Sequence, residues 1–107
     1  MQLYHSTDMY GVSELNPNEA TLREILARLD TPDAAEADHP DVSLIHDASG
    51  WTLSVFPSGV VTFENLDNAD ASPLYMSDIN RDQALNMWLQ LARGEIAALN
   101  ALPWQED

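Results

Sequence analysis

Apolar residues recur along this chain with two periods. Over positions 17–29, Leu22, Ile25, Leu26 and Leu29 stand at i, i+3, i+4 and i+7, a narrow stripe that predicts an amphipathic helix. Asn16 suits its N-cap, Pro17 its first helical position, and Glu19 a capping-box-like spacing. Glu19 with Arg23 and Glu24 with Arg28 are spaced four apart in the favourable order, and Asp30-Thr31-Pro32 ends the helix. A second helix is predicted over 81–93. Leu85, Trp88, Leu89 and Ala92 make one stripe, widened by Ala84, Met87 and Leu91, so this helix should touch both a sheet and the first helix. Asn80 is its cap with Gln83 at capping-box spacing, Ser77 and Asp78 being alternatives, and Gly94 stands as the C-terminal cap.

Between the helices the period falls to two. Runs over 42–46, 51–56 and 60–65 are separated by Asp47-Ala48-Ser49-Gly50 and by Pro57-Ser58-Gly59, both with turn chemistry. Trp51, Leu53 and Val55 face one way, and Thr52 and Ser54 the other. Val61 and Phe63 likewise oppose Thr62 and Glu64. Short turns between such strands make an antiparallel meander with one apolar and one polar face. Positions 1–5 read as a short strand, 6–15 as loop, 73–76 as a short edge strand, and 95–100 as a further helical turn. Leu102-Pro103-Trp104 brings a tryptophan back to the core. The expectation is one α+β domain over 1–107: a meander of three to five strands with two main helices packed on one face.

Composition sharpens this. With 107 residues, 45% of them apolar, the chain can bury a core. Eighteen Asp and Glu stand against four Arg and no Lys, a formal net charge of −14. Nucleic acid and anionic membrane surfaces both require a basic face, so neither is the expected partner; something cationic is. The absence of cysteine removes disulfides, thiolate metal sites and cysteine nucleophiles. The first residues lack the basic start and apolar run of a signal peptide, and no stretch approaches a membrane span, so the expected location is cytoplasmic.

Candidate chemistry is sparse. His5, His39 and His46 fall on separate elements without metal-ligand spacing. Asp67-Asn68-Ala69-Asp70 superficially resembles a calcium loop, but alanines occupy alternate ligand positions 69 and 71 and the mid-loop glycine is missing. No nucleophile elbow, phosphate-binding loop or dinucleotide fingerprint occurs, and Gly50, Gly59 and Gly94 already have turn or cap duties. Neither enzymatic activity nor a cofactor or metal is expected. Core packing is the expected role of Trp88.

The distribution of acids is the salient feature. In the meander, Asp47, Glu64, Asp67 and Asp70 should gather at one end of the sheet, and Asp33, Glu36, Asp38 and Asp41 at the other. These eight are the candidate partner-binding residues, the first group favoured because a turn and a loop converge there. The bland alternative is solvated loop acids that keep the chain soluble.

The segment over 50–104 resembles immunity proteins of bacterial polymorphic toxin systems, particularly the group often paired with deaminase-type toxins. The resemblance rests on the 51–65 hairpin with its Pro57-Ser58-Gly59 turn, Tyr75-Met76-Ser77, the 81–93 helix, Gly94-Glu95, and Trp104 after a proline. It implies a small acidic α+β protein without catalytic residues that binds and neutralises a cognate toxin. The expected partner is then one basic toxin domain acting on nucleic acid, bound one-to-one. Alternatives are an acidic nucleic-acid mimic that inhibits other machinery, and an adaptor or chaperone for a secreted protein.

Overall fold

The computed structural model describes residues 3–31, 40–65 and 74–106. In chain order the elements are β1 (Tyr4–Thr7), β2 (Ser13–Leu15), α1 (Glu19–Ala27) with a 3-10 turn (Arg28–Asp30), β3 (Val42–His46), β4 (Trp51–Val55), β5 (Val61–Asn65), β6 (Leu74–Met76), α2 (Arg81–Ala92), α3 (Ile96–Asn100) and β7 (Gln105–Glu106). The strands form one antiparallel sheet in the order β2-β1-β3-β4-β5-β6-β7. The α+β class and the central β3-β4-β5 meander agree with the expectation. The count does not: seven strands among the described residues exceed three to five.

The two additional strands lie at the rims. β2 falls within 6–15, expected to be loop; all three of its residues are exposed, so no buried alternation betrays it. It exists because Asp8 closes the hairpin, its Oδ1 accepting from the backbone N–H of Tyr10 (2.9 Å) and of Val12 (3.0 Å). β7 pairs with β6 at Leu74 and Tyr75, so the strand expected at the edge is covered there.

The N-terminus of α1 also differs. Asn18, not Asn16, is the N-cap, its side chain accepting from the Thr21 N–H at 2.9 Å. Asn16 sits at φ 50°, outside the helical region, and spends its side chain on the Tyr4 N–H at 2.9 Å. Pro17 therefore precedes the cap, and its carbonyl accepts from the Tyr4 hydroxyl at 2.8 Å. By contrast α2 starts as expected, with a full capping box between Asn80 and Gln83. It ends in a Schellman turn, in which Gly94 at φ 75° donates to the Leu91 carbonyl and Glu95 to the Gln90 carbonyl.

The core lies between the helices and one face of the sheet. Leu22, Ile25 and Leu26 of α1 and Ala84, Leu85, Met87, Trp88 and Leu91 of α2 are buried with Val42, Leu44, Leu53, Val55, Val61 and Phe63 of the strands. Trp88 is fully buried, and its indole N–H donates to the Leu53 carbonyl of the central strand at 3.1 Å. This satisfies the ring's one polar group while its area is removed from water. Phe63 stacks between Trp51 (ring centroids 4.4 Å apart) and Trp104 (5.2 Å). The Trp104 N–H in turn donates to the Leu99 carbonyl at 2.7 Å, so the C-terminal segment folds back as expected.

Arg81 fastens three elements. Its guanidinium meets Asp30 at 3.0 Å and the carbonyls of Phe56 (3.4 Å) and Pro57 (3.0 Å). The adjoining β4–β5 turn needs Gly59, whose φ is +91° and whose added Cβ would come within 3.3 Å of the Ile79 carbonyl.

Two substitutions test this packing. Trp88→Ala should lower unfolding free energy by about 3–5 kcal/mol in urea titrations, through the cavity it leaves. Unchanged stability would show that α2 does not pack as described. Ser6 is the opposite case: its hydroxyl is buried without a hydrogen-bond partner among the described residues. Ser6→Ala should therefore be neutral or stabilising by up to about 1 kcal/mol; a marked loss in the same titration would reveal a bond to that hydroxyl.

Candidate functional site

All helix contact falls on one face of the sheet, leaving the other free of described helices. Register assigns that second face. One row across five strands is Leu15, His5, Ile45, Thr52 and Glu64. The next is Ser13, Thr7, Ser43, Ser54, Thr62 and Tyr75. The face is thus rich in hydroxyls, as the alternation of Thr52, Ser54 and Thr62 led one to expect. Thr52 and Ser54 at its centre are nonetheless buried, and the Thr52 hydroxyl donates to the Gly50 carbonyl at 3.4 Å.

Three of the eight candidate acids lie among the described residues. Asp47 is in the β3–β4 turn, and Glu64 is on β5, level with Ile45 through Thr52. Both therefore lie at the same end of the sheet, two strands apart. Asp41 precedes β3 and lies at the opposite end, beside the strand start that pairs with Val55. Asp67 and Asp70, and Asp33, Glu36 and Asp38, lie outside the described residues, so neither group can be assembled in full.

Asp47 has a partner that sequence reading missed. The His5 Nδ1–H donates to its Oδ1 at 2.7 Å, the carboxylate being able only to accept. The contact is diagonal across β1 and β3, and the Asp47 N–H also donates to the Leu3 carbonyl at 3.0 Å. Both signals are invisible locally, because positions 5 and 47 meet only once β1 is placed beside β3. His46 lies on the core face, buried, with Nδ1 2.7 Å from the Ser49 hydroxyl. His39 lies outside the described residues.

The cations are placed elsewhere. Arg23 meets Glu19 at 3.4 Å, Arg28 meets Asp8 at 3.0 Å and Glu24 at 3.7 Å, Arg81 meets Asp30 at 3.0 Å, and Arg93 meets Glu95 at 2.8 Å. Both expected i, i+4 pairs thus form. Each arginine stands on α1, its 3-10 extension or α2, or directly after it, and no strand carries an arginine or lysine. At the sheet end bearing Asp47 and Glu64 the basic side chains are His5, which meets Asp47, and His46, buried on the core face.

A cavity of about 350 Å³ opens between α2, β6 and the C-terminal segment. Met76, Met87 and Leu102 give it an apolar wall, and the amides of Gln83, Asn86 and Gln90 a polar one. None of its lining residues titrates, so it offers no general acid or base. Among the described residues, no three His, Asp or Glu gather in a way that would hold a metal ion. No described helix is long and apolar enough to cross a membrane.

Comparison with protein-family models, with curated proteins and with solved structures finds no match to this chain.

The His5–Asp47 contact is testable as a pair. Both side chains are about one-third exposed, at 33% and 35%, so solvent screens the interaction. A double-mutant cycle with His5→Ala and Asp47→Ala should return a coupling of about 0.2–1 kcal/mol in urea unfolding. A coupling near zero would mean the contact does not hold β1 to the turn.

Proposed function

We propose that this protein is an immunity-type inhibitor that binds one basic toxin domain and neutralises it by occupancy rather than by turnover. The observation that supports this reading most is the arrangement of charge. A formal net of −14 is combined with four arginines that all stand on or directly after the helices and are all paired with carboxylates, while the strands carry no arginine or lysine. A toxin acting on nucleic acid must present a basic cleft to phosphates. An acidic sheet end complements such a cleft, accelerating encounter in a salt-sensitive way, while desolvated contacts set residence time. The resemblance of positions 50–104 to immunity proteins of polymorphic toxin systems points the same way. The favoured contact acids are Asp47, Glu64, Asp67 and Asp70, with Asp33, Glu36, Asp38 and Asp41 as the second group. The protein is read as acting in the cytoplasm, where a toxin made by the same cell would otherwise reach nucleic acid.

The test uses purified basic toxin domains, sought first among the products of genes that neighbour this protein's own. Association rates are measured against salt concentration for the wild type, for a variant with Asp47, Glu64, Asp67 and Asp70 changed to their amides, and for one with Asp33, Glu36, Asp38 and Asp41 so changed. The first variant should associate more slowly, by about tenfold or more at low salt, with a flatter salt dependence. It should also fail to protect cells that express the toxin. Equal rates and equal protection for all three proteins would overturn the assignment of these acids. Absence of any complex with the wild type would overturn the function.

A further inference from the structure

Among the described residues no strand pairs with the outer edge of β2, and the hydrogen-bonding phase of that edge can be read from the structure. The Asn16 N–H donates to the Tyr4 carbonyl at 2.8 Å, and the Asp8 N–H to the Val12 carbonyl at 3.0 Å. These bonds make 4–16 and 8–12 hydrogen-bonded pairs of the antiparallel β1–β2 ladder. Alternation then makes Ser6–Glu14 the next such pair and leaves Ser13 and Leu15 turned outward. The backbone N–H and C=O of both residues therefore point away from β1, along the open edge of the sheet.

Leu15 is 69% exposed and Leu3 is 51% exposed, and by alternation both lie on the helix-free face, diagonal to each other across β1 and β2. Glu14, between the two outward residues, is also exposed and turned to the other face. The edge thus offers, in order, a small polar side chain, a carboxylate and an apolar anchor. It is held in place before any partner arrives. Asp8 closes the hairpin through its Oδ1 and ties it to α1 through Arg28, at 3.0 Å from Oδ2, with the Asp8 side chain only 8% exposed.

We propose that β2 is an acceptor edge to which the basic partner adds one strand, with an apolar residue against Leu15 and a lysine or arginine against Glu14. This rests on the reading of the protein as an inhibitor of a basic domain, and names the means by which it grips that domain. Main-chain hydrogen bonds to Ser13 and Leu15 supply a sequence-tolerant grip, and alternate side chains supply the selection. A second copy of this chain is the natural competitor for an open edge. It is disfavoured by charge, since two bodies each carrying −14 repel.

The probe is a short synthetic peptide alternating valine and lysine, titrated into the full isotope-labelled chain while backbone amide shifts are recorded. The control is the same peptide with glutamate in place of lysine. The expected result is shifts centred on Ser13 and Leu15, slowed exchange of those two amides, and no comparable response to the glutamate peptide. Ser13→Pro should weaken peptide binding by about tenfold, without loss of fold, because proline is tolerated where the missing N–H faces solvent. Leu15→Asp should weaken it similarly with unchanged melting. Shifts spread over the Asp47 and Glu64 end instead of β2, equal response to both peptides, wild-type binding by both variants, or β2 shifts that grow with protein concentration alone would each overturn the proposal. Failure here is separable from failure of the inhibitor reading, which the association measurement judges with β2 intact.

Discussion

Eighteen carboxylates must share one small surface with four arginines, and the architecture follows from where those four are placed. Self-repulsion at this charge density works against compactness, so each cation matters more than it would on a balanced surface. Two of them join elements distant in sequence. Arg28 ties α1 to the β1–β2 hairpin through Asp8, and Arg81 ties the start of α2 to Asp30 and to the β4–β5 turn. Arg23 and Arg93 pair within a few residues. All four stand on α1, its 3-10 extension or α2, or directly after it, and among the described residues only Arg28 and Arg81 reach another element. The strands carry no arginine or lysine; Asp47 meets a histidine, and no ion pair to Asp41 or Glu64 is seen among the described residues.

What offsets the repulsion is a one-sided core. Trp88 reaches across the helix–sheet interface to hydrogen-bond the backbone of the central strand, and Phe63 is held between two indoles. Among the described residues helices cover the sheet on one side alone, and such a sheet has one apolar face. Its other face must remain polar, and here it does so with serines and threonines rather than with lysine or arginine. The same constraint therefore builds the core and leaves a second, hydroxyl-rich face whose carboxylates among the described residues, Glu64 and Asp47, lie at one end.

Much of this was legible in the sequence, for identifiable reasons. β3, β4 and β5 were visible because each is long enough for alternation to show, with glycine-bearing turns between them. α2 was visible because its stripe, its Asn80–Gln83 box and its Gly94 stop all agree. β2 was not, because a three-residue exposed edge strand carries no hydrophobic pattern; it is made by backbone pairing and by the Asp8 side chain. The α1 cap lies two residues from its expected place because Asn16 and Asn18 are both good cap residues, and the choice depends on Tyr4, which arrives from another element. Of the candidate site, the separation of Asp47 and Glu64 from Asp41 followed from meander topology alone. The His5–Asp47 contact did not, since it requires β1 to lie beside β3, a neighbour relation that neither strand's sequence encodes.

Charge and grip are separate problems for an acidic inhibitor of a basic domain. Carboxylates at a sheet end quicken encounter, but they are hydrated, screened by salt and mobile at their tips, so they contribute little to residence unless desolvated. Residence needs apolar contact and directed hydrogen bonds on groups already held in place, because ordering a loose segment on binding offsets much of what the contact provides. The described part of this molecule has one exposed place that combines both. At β2 the backbone groups of Ser13 and Leu15 are aimed outward, and a leucine stands free beside them. A buried carboxylate also fixes the hairpin against α1. β2 borders, through β1 and β3, the same face that carries Asp47 and Glu64. A partner drawn to the acidic end is therefore already within a few strands of an edge able to hold it. On this reading the lopsided charge and the open edge are complementary parts of one recognition surface.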